Sequence, residues 1–220
     1  MGDMIPFNPL DKINLASSIE LALSRTDALP LKNLEPFQGA GVYSLYYVGS
    51  FGAYDVLSKC NAGELQIPIY VGKADSKGMR KGGFLDRGST GNVLNNRLNE
   101  HARSIELASN LDIEDFRCRF LVVDDLWISL GESLLISKYA PVWNTLVEGF
   151  GNHDPGSGRK NGKRSRWDTV HPGRPWAEKL AANPCTSAQI CNETADYLRA
   201  RFTVVSHPWG DSYVYDVTSI

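Results

Sequence analysis

Two short runs, Gly41-Val42-Tyr43-Ser44-Leu45-Tyr46-Tyr47-Val48 and Pro68-Ile69-Tyr70-Val71-Gly72-Lys73, decide how this chain folds. Each is rich in the β-branched and aromatic residues that suit a pleated surface, so both read as strands. Side chains alternate along a strand, which puts Tyr43, Leu45 and Tyr47 on one face of the first run and Ser44 and Tyr46 on the other. In the second run Tyr70 and Gly72 share a face, and the glycine leaves room for a close approach to the backbone. Taken alone, the pair is a hairpin with aromatic cross-strand contacts. The segments that follow bring charged and titratable groups to it.

Residues 74–91 interleave glycines with Lys77, Arg80, Lys81 and Arg87, a composition that fits a solvated loop and a loop following a phosphate backbone alike. Residues 92–109 have helical periodicity with an apolar stripe of Leu94, Leu98, Ile105 and Ala108. His101 falls inside that stripe and Arg97 lies one turn before it. A permanent cation beside an imidazole makes poor core but good company for a phosphate. Residues 116–123 are a third strand. From Trp127 to Tyr139 the pattern Ile128, Leu135, Ile136, Tyr139 describes a buried helical face with Glu132 in its middle. Burying an unpaired carboxylate costs several kcal/mol, so Glu132 calls for a metal ion or a cation, with a structural salt bridge to Arg97 as the plainer option. Pro141 then stops the helix and is followed by Asn144, a carboxamide within reach of the same pocket.

Upstream, residues 9–26 read as a helix with Asp11 at its start and Ile13, Leu15, Ile19, Leu21 and Leu23 as its apolar positions. Residues 49–66 are long for a hairpin connection, whose usual length is about 2–5 residues, and so form an insertion. At 220 residues the chain suits a single elaborated domain, and its net charge of -2 means that any affinity for nucleic acid must come from local positive patches. Cys60, Cys118, Cys185 and Cys191 form no metal-binding or CxxC spacing and read as reduced structural thiols. The start of the chain lacks the pattern of a signal peptide and no stretch is long enough to span a membrane, so the expected location is cytoplasmic.

Taken together these landmarks resemble the GIY-YIG nuclease family. Gly41-Val42-Tyr43 matches its first tripeptide and Tyr70-Val71-Gly72 its second, followed in order by its arginine as Arg97, its metal-binding glutamate as Glu132 and its asparagine as Asn144. The resemblance covers roughly 37–146. Valine replaces isoleucine in both tripeptides, and the tyrosines stand 27 positions apart (70 − 43), wide for compact members. That gap, the Arg97 and His101 pair and the twelve-position step from Glu132 to Asn144 (144 − 132) resemble type II restriction endonucleases that cut GC-rich palindromes such as CCGCGG. The implied fold class is α+β: a small, mainly antiparallel three-stranded sheet flanked by helices, with an N-terminal helix, loop insertions and a C-terminal extension over 147–220.

The resemblance implies phosphodiester hydrolysis with Tyr43 as general base. An unperturbed phenol titrates near about 10, so Tyr43 needs neighbouring cations, available from Lys73, Arg97 and a metal on Glu132. Arg97 would fork onto the scissile phosphate. Glu132 as sole carboxylate implies one Mg²⁺, with Mn²⁺ able to substitute. Tyr70 would orient the water or phosphate, His101 would pass or fix a proton, and Asn144 would stand near the metal or Glu132.

The C-terminal extension carries Arg159, Lys160, Lys163, Arg164 and Arg166, a basic run that fits solvated surface and DNA contact alike. A helix over 187–202 capped at Thr186 or Ser187 and a strand over 212–217 close the chain. The expected partners are double-stranded DNA and, because a palindrome presents its site twice, a second copy in a homodimer. A cognate DNA methyltransferase would protect the host without binding this protein. Two other readings stay open: a repair or mobile-element GIY-YIG nuclease, and a non-catalytic DNA-binding protein of the same fold.

Overall fold

The computed structural model describes residues 8, 10–75, 91–154, 162–206 and 212–216. In chain order the elements are α1 (Lys12–Ser24), β1 (Leu29–Pro30), β2 (Gly41–Tyr47), α2 (Asp55–Cys60), β3 (Tyr70–Ala74), α3 (Val93–Leu107), β4 (Phe116–Val122) and α4 (Asp125–Tyr139). Then follow α5 (Val142–Thr145), α6 (Arg166–Val170), α7 (Pro175–Glu178), α8 (Ser187–Arg201), β5 (Phe202–Ser206) and β6 (Ser212–Asp216).

The fold is α+β, with a four-stranded antiparallel sheet in the order β1-β4-β2-β3. The strand beyond the expected three is β1, a two-residue edge piece whose Pro30 stands opposite Arg117 of β4. β2 and β3 pair with Tyr43 opposite Gly72 and Leu45 opposite Tyr70. Every residue of β2 is buried, because helices cover the sheet on both sides. On one face Tyr43, Leu45 and Tyr47 pack with Leu94, Leu98 and Ile105 of α3 and with Trp143 and Trp167. On the other, Val42 and Val71 meet Leu23 of α1 and Ile128 and Leu135 of α4.

Three readings of the sequence change on contact with the fold. In α1 Leu23 is buried, whereas Ile13 is 75% and Leu21 51% exposed, and the Asp11 side chain makes no capping bond. The 49–66 insertion is folded, through a 3-10 turn at Gly52–Tyr54 and α2. Asn61 closes it against the sheet, donating to the carbonyls of Tyr47 and Ile67 and accepting from the amides of Gln66 and Ile67. The C-terminal extension is part of the main core: Trp167, Val170, Ile190 and Leu198 pack in one cluster with Tyr43 and Leu45. Residue Thr186 caps α8 reciprocally with Gln189, as a capping box does. Among the described residues no helix is long and apolar enough to cross a membrane.

Candidate active site

Gly72 lets the site form. Its partner across the sheet, Tyr43, lays its ring over residue 72, where an added Cβ would stand 2.4 Å from the Tyr43 hydroxyl and 3.0 Å from the Tyr70 ring. Any side chain there would push both tyrosines out. On this face α3 presents Arg97 and His101, two residues spaced by four and therefore on one edge of the helix. His101 is 2% exposed, and its Nε2 lies 2.6 Å from the Tyr43 hydroxyl. Burial, reinforced by the positive charge of Arg97, holds His101 well below the ordinary imidazole range. In a neutral ring one nitrogen is bare, and the tautomer with Nε2 bare accepts from the Tyr43 hydroxyl. Burial also pushes the Tyr43 phenol well above its usual value, against the pull of Arg97 toward phenolate. The resting pair is therefore a neutral tyrosine hydrogen-bonded to a neutral histidine.

Arg97 does not bond His101. Its Nη1 donates to Glu100 at 3.0 Å and to His153 Nε2 at 2.7 Å, and its Nη2 donates to the Gly151 carbonyl at 3.0 Å. The remaining groups lie on the opposite face of β3, where α4 packs. Lys73 Nζ donates to Ser129 Oγ at 2.7 Å and stands 3.4 Å from Glu132 and 3.6 Å from Asp75. Glu132 is not in the middle of a buried face; its side chain is 23% exposed. Its partner is Lys73 rather than Arg97. Partial burial raises its pKa, opposed by Lys73. Since β3 is the edge strand, the two faces meet around it, and Arg97 and Glu132 both act on the charge of Tyr43 and of Tyr70.

Asn144 is seated differently from the expectation that it stands near the metal or Glu132. Its side chain grips the β3 backbone at Val71, accepting from the amide at 2.8 Å and donating to the carbonyl at 2.8 Å. It extends the edge strand by a strand-like pair of bonds next to Gly72. The α4 helix reaches it through Ala140 in the left-handed region (φ 35°), whose carbonyl is held by Tyr197 and Arg201 of α8.

The basic run behaves in two ways. Lys77, Arg80, Lys81, Arg87, Arg159 and Lys160 lie outside the described residues. Arg164 donates to the carbonyls of Ala177 and Glu178, and Arg166 pairs with Glu193. Lys163 lies where the chain forms a backbone bridge to Ala181.

Sequence reading missed a strap over the site at Gly149–His153. Phe150 stacks on His101 at 4.5 Å and 18° and meets Tyr70 edge-on at 5.0 Å. Gly151 sits so close to the tyrosine that a Cβ would be 2.7 Å from the Tyr70 hydroxyl. Behind the strap Arg174 is buried with Asp168, both 2% exposed and joined at 2.6 Å. The signal in the sequence is Gly149-Phe150-Gly151, an aromatic between two glycines, which marks close backbone approach but not what is approached.

The site thus places a tyrosine, a histidine, an arginine and a carboxylate around one glycine-bearing edge strand, in the chain order of the GIY-YIG signature. The model of the Eco29kI GIY-YIG domain matches residues 35–198. The chain belongs to the Eco29kI GIY-YIG family. That match runs past Leu146 into α8, as the shared core of the two halves requires. No curated protein matches the chain. Membership in the Eco29kI GIY-YIG family makes this a GIY-YIG nuclease, a class that uses divalent metal ions. The residues present fit such an ion: Glu132 is a partly exposed carboxylate whose lysine contact is long, leaving oxygen lone pairs free to coordinate.

Proposed function

We propose that the protein is a type II restriction endonuclease that hydrolyses both strands of double-stranded DNA at a palindromic GC-rich site such as CCGCGG, with Tyr43 as general base. The observation that carries this is the 2.6 Å bond from the buried Tyr43 hydroxyl to His101 Nε2. A phenol whose pKa is raised makes a poor phenolate, so it acts as a base only if its own proton leaves as it takes another. His101 supplies the place. As water attacks phosphorus, its proton moves to the Tyr43 oxygen and the Tyr43 proton moves to His101 Nε2. The P–O3′ bond breaks, the leaving oxygen takes a proton from solvent, and His101 gives its proton back through Tyr43 to solvent, restoring the neutral pair.

Arg97 holds two non-bridging phosphate oxygens with its fork, exchanging its present bonds to Glu100 and His153 for charge-assisted ones. Tyr70 orients the phosphate beside it. Lys73 steers Glu132, and Asn144 keeps β3 and hence Gly72 in register. Glu132 would hold one Mg²⁺, or Mn²⁺ in its place, which when bound supplies positive charge to the phosphate oxygens. Lys77, Arg80, Lys81, Arg87, Arg159, Lys160 and Lys163 serve phosphate contact, the last with Arg164 and Arg166 as its folded support. Two copies related by a two-fold axis cut the two strands, in the cytoplasm, with a cognate methyltransferase guarding host sites.

A long plasmid incubated with the purified protein and Mg²⁺, with and without EDTA, tests this. Discrete fragments that vanish with EDTA support restriction. A smear, or a requirement for branched DNA, would assign it to repair or mobile-element nucleases; DNA retarded but uncut would make it a binding protein.

A further inference from the structure

We infer that Arg174 is a positioning residue for the reaction: it sets Arg97 and His101 through the Gly149–His153 strap without touching either. The inference rests on the nuclease reading above. Arg174 spends its whole guanidinium inside the protein. Nε donates to Asp168 Oδ1 at 2.6 Å, Nη1 to the carbonyls of Phe150 at 2.9 Å and Asn152 at 3.2 Å, and Nη2 to the carbonyl of Gly149 at 2.9 Å. Its plane is held between Trp167 at 4.5 Å and Trp176 at 4.8 Å. Asp168 is fixed in turn, its second oxygen accepting from Ser165 at 2.6 Å.

Three of the four carbonyls over residues 149–152 therefore hang from one cation: those of residues 149, 150 and 152. Residue 151, between them, turns its carbonyl to the opposite side and accepts from Arg97 Nη2 at 3.0 Å, while the Phe150 ring stacks on His101 at 4.5 Å. The backbone of the strap is fastened to Arg174 on one side and to the reacting groups on the other. A planar fork reaches several carbonyls at fixed angles, as a lysine cannot. A misplacement near 1 Å costs catalysis on the order of 100-fold.

Arg174→Lys keeps the charge opposite Asp168 and removes the fork. Single-turnover cleavage at saturating DNA, measured below the variant's melting temperature, is expected to fall roughly 100-fold; DNA affinity measured without divalent metal stays near wild type, and the melting temperature falls because buried carbonyls lose their donor. The Arg97 Nε–H resonance, followed by NMR in the DNA-free protein, is expected to shift. Cleavage at the wild-type rate, or a loss that only tracks weaker DNA binding, overturns the inference. Should Arg174→Lys not fold, Asp168→Asn loosens the same clamp and carries the same expectations. If the wild-type protein cuts no DNA, the nuclease reading fails, and an unshifted Arg97 resonance then overturns the positioning claim separately.

Discussion

Tyr43 faces Gly72 across the antiparallel pair, and the phenol ring occupies the space where any other residue at 72 would place its Cβ, 2.4 Å from the hydroxyl. Gly72→Ala therefore strikes the reacting oxygen before it strikes the fold. Cleavage should drop by roughly 100-fold, with a melting temperature lowered by only a few degrees, as calorimetry and single-turnover assays on the same preparation would show. An active Gly72→Ala enzyme would mean that the tyrosine is free to move.

Tyr43→Phe keeps the ring in the core and removes the proton path. Loss of the hydroxyl should lower the cleavage rate by about 10²–10⁴-fold. It also strands His101 Nε2, costing roughly 1–3 kcal/mol of stability, visible in urea melts.

Glu132→Gln exchanges the carboxylate for a neutral group of the same shape. Cutting should be lost, as it is expected to be with EDTA, while gel retardation of DNA persists because the cations proposed to contact phosphate are untouched. Near wild-type cleavage by this variant in Mg²⁺ would remove Glu132 from the metal site.

Acid should unfold the protein through its buried histidines. Burial, with Arg97, His153 and Arg174 adding to it, keeps His101 neutral, and burial alone pulls His171 down to about 3. In the fold neither ring takes a proton from solvent in the neutral range, whereas the unfolded rings do, so their contribution is complete above the unfolded value of about 6.5 and is lost as pH falls below it. Each should steepen the decline by up to about 1.4 kcal/mol per pH unit. Urea melts between pH 4.5 and 7.5 measure the slope; a flat profile would mean that these rings are not neutral in the fold.

Asn144→Ala removes two bonds to the Val71 backbone while leaving every group around the phosphate site in the sequence. Stability should fall by roughly 1–3 kcal/mol, and cleavage should fall further than the folded fraction explains, because β3 carries Gly72 and Lys73. Equal loss of both would limit Asn144 to the fold.

Much of the catalytic neighbourhood was legible because it is written in local patterns. The alternation of β2, the Tyr70 and Gly72 spacing in β3 and the four-residue step from Arg97 to His101 each predict a face, and those faces do meet. The sequence reading overshot on Glu132, whose helical spacing says which side of α4 it shares but not that the side ends at an open sheet edge. For Asn144 residue type suggested a site group, whereas backbone partners are invisible in a string of letters. Ile13 and Leu21 show the same limit: an apolar residue on a helix need not have a neighbour to bury it. Arg174 left no trace at all, since a single arginine between Gly173 and Pro175 looks like part of a solvated turn until Trp167, Trp176 and three distant carbonyls close around it.

The aromatic floor beneath the site is assembled from distant stretches of chain: Tyr54 from the insertion, Trp143 after α4, Phe150 from the strap, Trp167 and His171 from the region beyond. Cutting the polypeptide after Leu146 would leave Trp143 with Tyr54 and Phe116 but strip Phe150, Trp167 and His171 from it. The signature-bearing half is thus no transplantable cassette. Engineers wishing to graft this nuclease onto another DNA-reading module would have to carry the chain through α8, and fusions joined inside 147–198 should yield insoluble product.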